Sequence, residues 1–377
     1  MTKTILVTGA TGAIGPRVVA ALHDAGFQIR TLSIDSPPNG VWADGVEARM
    51  GDITDPAAVQ SAVQGVGGVI HMAALLHIVN PPPELQLQYE WINVGGTKNV
   101  VEAALKAGVK RLVFFSTIAV YGASGGGILT EESPTRPDSF YARTKLDAER
   151  IVLAAKRGDG RPLGTVLRLG AVYGARIKGN YQRLLLALAG NLGTRSRIQG
   201  NSGHVPRLPF IPVGSGLNRR TLVYDKDVAR AALLALEHPE AAGKVFNVSD
   251  GQFHTLNEIV STICEALGRK PPRVSLPIGP VLGLISLVEK GCHVMRIMGT
   301  RSRILANSGH VPTIPGHVPR LPVPTIPLAI RSMIEKYTED IAVDSRRIQR
   351  ELGFDPLYDL AAGWEETVRE MRQAGEL

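Results

Sequence analysis

The sequence predicts an α/β fold built on a doubly wound, mostly parallel sheet, and three observations carry that prediction. A β-type run, Thr4 to Val7, enters a glycine-spaced turn and then an amphipathic run, Pro16 to Ala25. Short apolar runs, such as 69–74 and 112–115, recur between helical patterns, as strands buried on both faces do. The length of 377 residues suits one large domain, or one domain with a lobe.

The opening stretch from Lys3 reads KTILVTGATGAIG, with Gly9, Gly12 and Gly15 three residues apart. Such a turn brings backbone N–H groups at a helix N-terminus against a pyrophosphate, and a Cβ at the glycines would block the approach. Gly9, Thr11, Gly12, Ala13, Ile14 and Gly15 are therefore the candidate phosphate cradle. The spacing is one residue longer than the usual GxGxxG. A plain tight connection would also use three glycines, but the flanking strand and helix favour the nucleotide reading.

The second strand, 28–33, runs on to Ile34 and Asp35. A carboxylate near this strand end accepts hydrogen bonds from ribose hydroxyls, whereas a cation would pair with a 2′-phosphate. Asp35 favours NAD, while Arg17 and Arg30 keep NADP open. A short strand ends at Met50–Ile53, where Asp52 and Ile53 either flank an adenine or cap the helix beginning near Pro56. In the strand 69–74, small residues such as Ala73 let a cofactor lie across the C-terminal end, and His71 reads as packed core. A long helix over 89–107 carries Asn93, a further candidate cofactor contact, with Gly95 and Gly96. The strand 111–115 delivers Ser116 and Thr117 to the edge where open α/β sheets bind ligands.

The segment 138–145 opens a helix running to about residue 155, and its Tyr141 and Lys145 lie one turn apart on one face. A free tyrosine has a pKa near ~10 and is a poor base at neutral pH. An ammonium beside it, together with a positive nicotinamide ring, favours the phenolate. Tyr141 can then exchange a proton with a substrate hydroxyl, Lys145 can hold the nicotinamide ribose, and Thr117 can orient the substrate oxygen. An ordinary exposed helix face is the competing explanation of this spacing. Strands at 163–169, 222–224 and 245–248 and helices at 180–192, 256–267, 344–352 and 360–373 continue the α/β pattern.

Taken together, Gly9-x-x-Gly12-x-x-Gly15, Ser116-Thr-x-x-Val-Tyr-Gly122, Tyr141-x-x-x-Lys145 and Leu167-Arg-x-Gly-x-x-Tyr-Gly174 resemble the extended short-chain dehydrogenase/reductases. These are the NAD-dependent nucleotide-sugar epimerases and dehydratases. The resemblance implies a Rossmann-type sheet of strand order 3-2-1-4-5-6 with extra strands, a smaller C-terminal substrate lobe, and a homodimer joined through four helices. It divides the chain into a dinucleotide-binding core over 1–175 and a lobe over 176–377. The family's dehydratases carry Asp-Glu after the catalytic Thr; Ile118-Ala119 stands here, so dehydration is disfavoured. Asn180 and Arg220 resemble the lobe residues that grip the nucleotide diphosphate in the epimerases. An arginine fork suits that group through bidentate charge-assisted bonds.

Composition narrows the remaining classes. The net charge of +8 is local: the tracts 193–209 and 299–326 hold six arginines and no acids. A nucleic-acid partner is therefore discounted. Two cysteines imply no disulfide framework and fit a reducing cytoplasm. A strand starting near residue 4 leaves no room for a signal peptide. The longest apolar run, 278–288, is too short to span a bilayer, which takes about 20 residues. The two tracts share the pattern GTRSRI…NSGHVP, show no periodicity, and read as inserted Gly/Pro/Arg-rich loops. Their His204, His310 and His317 have no metal-ligand spacing, so no metal is expected.

Three functions follow: a nucleotide-sugar epimerase or reductase using NAD; a 3β-hydroxysteroid-type or flavonol-type dehydrogenase; and a non-catalytic dinucleotide-sensing protein. If the tracts are insertions, deleting either one leaves a cooperatively unfolding protein by circular dichroism. Loss of folding or of activity on deletion would contradict that.

Overall fold

A computed structural model describes residues 4–37, 42, 44–76, 84–190, 214–273, 275–277, 279–280, 283 and 339–377. The tracts 193–209 and 299–326, and nearly all of the apolar run 278–288, lie outside the described residues. Two compact units are formed, one by Met1–Phe210, Arg219–Pro271 and Asp340–Leu377, the other by Ile211–Asn218 and Pro272–Glu339.

The first unit is a parallel seven-stranded sheet. Its strands are β1 (Thr4–Thr8), β2 (Gln28–Ser33), β3 (Glu47–Met50), β4 (Gly68–His71), β5 (Arg111–Thr117), β6 (Gly164–Leu169) and β10 (Val245–Val248). They lie in the order 3-2-1-4-5-6-10, so the expected Rossmann-type order is present with one further strand. The strand order, though not the strand direction, reverses between β1 and β4, and a crevice at such a switch point is where doubly wound sheets hold ligands. Short strands β7 (Ala171–Tyr173), β8 (Arg219–Arg220), β9 (Leu222–Tyr224) and β11 (His254–Thr255) form two small pairs, β7 with β9 and β8 with β11.

Alternate residues explain why both faces are covered. Ile5, Val7, Val113 and Phe115 pack with Val18, Val19 and Leu22 of α1 (Gly15–Asp24) and with Val228 and Ala232 of α7 (Asp225–Glu237). Leu6, Leu112 and Phe114 pack oppositely, with Val59 of α2 (Pro56–Val63), Val100 and Ala104 of α4 (Gly96–Lys106), and Ala148 and Val152 of α5 (Phe140–Ala154). Among the described residues the remaining α-helices are α3 (Leu85–Tyr89), α6 (Asn180–Leu188), α8 (Leu256–Leu267), α9 (Arg346–Leu352) and α10 (Leu360–Gln373). Local chemistry fixes their starts. Asp55 caps α2, Ser139 caps α5, and Thr255 with Glu258 forms a capping box on α8.

Several elements differ from the sequence expectation: the strand expected over 69–74 is only Gly68–His71, and the helix expected over 180–192 ends at Leu188. The single helix over 89–107 is three segments: α3, a π-helical turn over Glu90–Gly95, and α4. The side chain of Asn93, in that turn, bonds to the backbone of Leu75 and to Thr144 of α5, which gives the wider turn a reason. Strand β5 also runs two residues further than expected, so Ser116 and Thr117 are its last residues. In the second unit, Gly214 N donates to Leu276 O (2.9 Å) and Asn218 Nδ2 to Glu339 O (3.0 Å). Among the described residues no helix is long and apolar enough to cross a membrane.

Candidate active site

The glycine turn is built for close backbone approach. Gly9 has φ +72° and donates its N–H to Leu32 O (2.8 Å); a Cβ there would lie 2.8 Å from Ala73 Cα. A Cβ on Gly15 would lie 2.0 Å from Ala10 O, so only glycine lets α1 start against the end of β1. Gly12 is different: a Cβ there would meet only Gly9 O, at 3.1 Å. Protein packing therefore demands glycine less here than at its neighbours, as expected of a face kept open for a ligand. No side chain caps α1 at Ile14, and its first turn carries no acid. Thr11 N donates to Ser33 Oγ (3.4 Å), drawing the turn towards the end of β2. Such a cradle, with an uncapped helix N-terminus, fits a dinucleotide pyrophosphate.

The cations that kept NADP open are committed elsewhere. Arg17 pairs with Asp225 (3.2 Å) and Glu370, and Arg30 with Glu47 (2.7 Å) and the carbonyls of Ala62 and Gln64. Asp35 is exposed, two residues past β2. Asp52 is exposed and accepts Thr54 N (2.8 Å), while the α2 cap is Asp55. Ile53 is buried, with its side chain under Gly96, where a Cβ would lie 2.4 Å from Cδ1.

His71 is fully buried, and its bonds can be read unambiguously. The Thr97 hydroxyl donates to Asn93 O (2.6 Å), so it accepts from His71 Nε2 (3.0 Å); Nδ1 then accepts from Thr8 Oγ1 (2.7 Å). Thr8 Oγ1 also accepts Ala73 N (3.3 Å). Burial, with the nearby Lys145 charge, holds the imidazole neutral, its pKa down to about 3. Asn93 accepts Leu75 N (2.7 Å) through Oδ1 and donates through Nδ2 to Leu75 O and Thr144 Oγ1 (both 3.1 Å). These bonds tie the segment after β4 to α5, at the residue before Lys145.

Tyr141 is half-buried and Lys145 only 2% exposed. The Lys145 ammonium sits 3.9 Å from the centre of the Phe114 ring, a cation–π contact reaching from α5 to β5. Burial dominates both groups in the free protein. Burial pushes the Tyr141 phenol up to about 12, with Tyr89 adding to the shift. Burial also pulls Lys145 down to about 7, against the Glu149 carboxylate, which raises it. Without coenzyme, desolvation therefore favours the neutral form of both groups. Thr117, at the end of β5, accepts Ala119 N (3.2 Å); that bond leaves the hydroxyl proton as a donor.

Behind these groups lies a buried chain that motif spacing did not disclose. Ser116 Oγ donates to Glu149 Oε1 (2.5 Å), and Arg168 of β6 grips Glu149 with Nε (3.0 Å) and Nη2 (2.7 Å). The Arg168 guanidinium stands 4.7 Å from the Tyr121 ring centre, and Tyr121 donates to Asn247 Oδ1 (2.8 Å). One signal was present: Glu149 follows Lys145 by four residues, on the face already assigned to chemistry. Arg220, 9% exposed, lies on β8 opposite His254. Thr117 registers with Leu169, Ala171 N donates to Thr221 O (2.9 Å), and Arg220 precedes Thr221, so β8 reaches the C-terminal edge near Thr117. Asn180 begins α6 and is exposed.

Comparison with known proteins follows the same lines. The profile of the NAD dependent epimerase/dehydratase family matches residues 5–249. UDP-glucose 4-epimerase of Vibrio cholerae is 28% identical over 304 residues, covering 80% of this chain and 87% of that protein. A 3 beta-hydroxysteroid dehydrogenase/Delta 5-->4-isomerase of Mycobacterium tuberculosis (strain ATCC 25618 / H37Rv) is 29% identical, covering 74% and 73%. The structure of MoeE5 in complex with UDP-glucuronic acid and NAD superposes with a TM-score of 0.68 at 25% identity, covering 98% of this chain and 99% of that one.

Proposed function

The chain belongs to the NAD dependent epimerase/dehydratase family, and from that premise we propose that it moves a hydride at a sugar carbon of a nucleotide-sugar, with Tyr141 as acid/base. It is an NAD-dependent enzyme of the extended short-chain dehydrogenase/reductase type. The observation that carries the proposal is the pair Tyr141 and Lys145 on a helix clamped to β5, beside the edge bearing Thr117.

When bound, NAD supplies the hydride acceptor and a positive ring. Thr117 donates to the substrate oxygen and fixes its direction. Tyr141 takes the hydroxyl proton as the carbinol becomes a carbonyl, and returns it on reduction. A high phenol pKa suits that return step. For oxidation the local charge must bring the pKa down, which Lys145 and the oxidised coenzyme do together. Candidate contacts to the coenzyme are the backbone at Gly9, Thr11, Gly12, Ala13, Ile14 and Gly15, with Asp35, Asp52 and Ala73 at its rim. Ile53 and Asn93 support the seat from beneath, since their side chains are turned into the protein.

Substrate recognition is assigned to the chain after residue 175. Arg220 holds the diphosphate through its fork and Asn180 adds an amide. UDP-glucose 4-epimerase and the UDP-glucuronic acid complex of MoeE5 support that substrate class. The hydroxysteroid dehydrogenase reading has one observation of its own: Leu76, in the segment that follows β4, is 66% exposed and offers apolar surface. Tyr141→Phe is expected to lower turnover by about 10²–10⁴-fold with NAD binding retained; unchanged turnover removes Tyr141 from its role. A thermal-shift panel of UDP-, GDP- and dTDP-sugars against sterols separates the two substrate classes, since a saturating ligand raises the midpoint.

The same helices carry a homodimer surface. Leu87 and Trp91, four residues apart, are 72% and 65% exposed beside an open groove of about 810 Å³ that reaches Thr144 and Asp147 of α5. A large exposed apolar patch of this kind marks an interface, and a two-fold axis lets it cover itself. Sedimentation should show a dimer that Trp91→Glu converts to a folded monomer; a monomeric wild type would contradict the proposal.

A further inference from the structure

We propose that Arg219 is a positioning residue: held by Asp340, it latches the loop 124–127 and fixes the direction of Arg220 towards a nucleoside diphosphate. This rests on the assignment of Arg220 above. Three groups converge on Asp340. Arg219 donates its backbone N to Oδ1 (2.6 Å), its Nε to Oδ1 (3.2 Å) and its Nη2 to Oδ2 (2.6 Å). Ser124 Oγ donates to Asp340 O (2.7 Å) and Oδ2 (3.1 Å). The same Arg219 Nη2 donates to Gly126 O (2.7 Å) and Gly127 O (3.1 Å).

Stability alone does not explain this convergence. Arg219 and Asp340 are 27% and 30% exposed, and ion pairs so open to water contribute little to folding. What the pair secures is position. The loop 125–127 is three consecutive glycines, two of them at positive φ, a sequence with the widest backbone freedom, and it follows the turn that begins at Thr117. The arginine fork removes that freedom by gripping two carbonyls. The Asp340 carboxyl is held down to about 2, chiefly by the Arg219 bond, so the latch stays charged across the working range.

Direction follows from strand geometry. Successive side chains of a strand point to opposite faces, so anchoring Arg219 to Asp340 commits Arg220 to the other side of β8. The returning chain stitches that strand and the residue after it: Ile341 N donates to Arg219 O (2.9 Å), and Val343 N to Thr221 Oγ1 (2.9 Å).

The test uses the full chain saturated with NAD. UDP, GDP and dTDP are titrated calorimetrically into wild type, Arg219→Gln and Arg220→Gln, and amide exchange over 124–130 is followed by mass spectrometry. Arg220→Gln should lose the diphosphate that the wild type binds. Arg219→Gln should bind it about tenfold more weakly, with NAD affinity unchanged and faster loop exchange. Arg219→Lys, which keeps the charge but not the fork, should fall between. Should Arg219→Gln not fold, Ser124→Ala carries the same test with a smaller shift. Wild-type affinity or unchanged loop exchange in Arg219→Gln, beside lost binding in Arg220→Gln, overturns the latch alone. Full affinity in Arg220→Gln, or no diphosphate bound by wild type, overturns the diphosphate reading and the latch with it.

Discussion

The arrangement depends on one constraint: Lys145 is held almost without water against the Phe114 ring. A buried ammonium is costly unless its surroundings are fixed, and much of the unit's polar bonding serves to fix them. Helix α5 is capped by Ser139, clipped through Thr144 to Asn93, and fastened through Glu149 to Ser116 and Arg168. A buried ion pair such as Glu149–Arg168 is a poor source of stability. Its consequence here is positional, because Glu149 joins the helix bearing Tyr141 and Lys145 to β6 through Arg168 and, through Ser116, to β5, the strand that ends in Thr117.

A second set of bonds does for the glycine turn what the first does for α5. Thr8, His71, Thr97 and Asn93 form one hydrogen-bonded line from the end of β1 through β4 to the π-helical turn. Ala73 is thereby held where it meets Gly9 at backbone distance. Asn93 belongs to both sets, so the candidate coenzyme seat and the helix of Tyr141 and Lys145 share a structural member. That sharing accounts for the irregular turn in an otherwise regular helix: the amide must reach Leu75 and Thr144 together.

Local features were the legible ones. The strand–glycine–helix start, the two-sided strands and the Tyr141–Lys145 spacing are short-range patterns, and each stands in the structure where its period placed it. The sheet order followed only from the family resemblance. Contacts across long separations had no sequence period to betray them: Arg219 meets Asp340 over 121 residues and Tyr121 meets Asn247 over 126. The π-helical turn was hidden because the bonds made by Asn93, to Leu75 and to Thr144, join residues far apart in sequence. The desolvation of the phenol was not legible for a physical reason, since a neighbouring charge can be read from spacing whereas desolvation depends on packing.

The central claim is that coenzyme charge converts a half-buried, proton-holding Tyr141 into a base. The direct measurement is the ionisation midpoint of Tyr141, followed by nuclear magnetic resonance of ring-labelled tyrosine and assigned by Tyr141→Phe, with and without saturating NAD. The account predicts a midpoint of about 12 in the free protein, moving down by about two units or more when NAD is bound. The same midpoint in both states would contradict it.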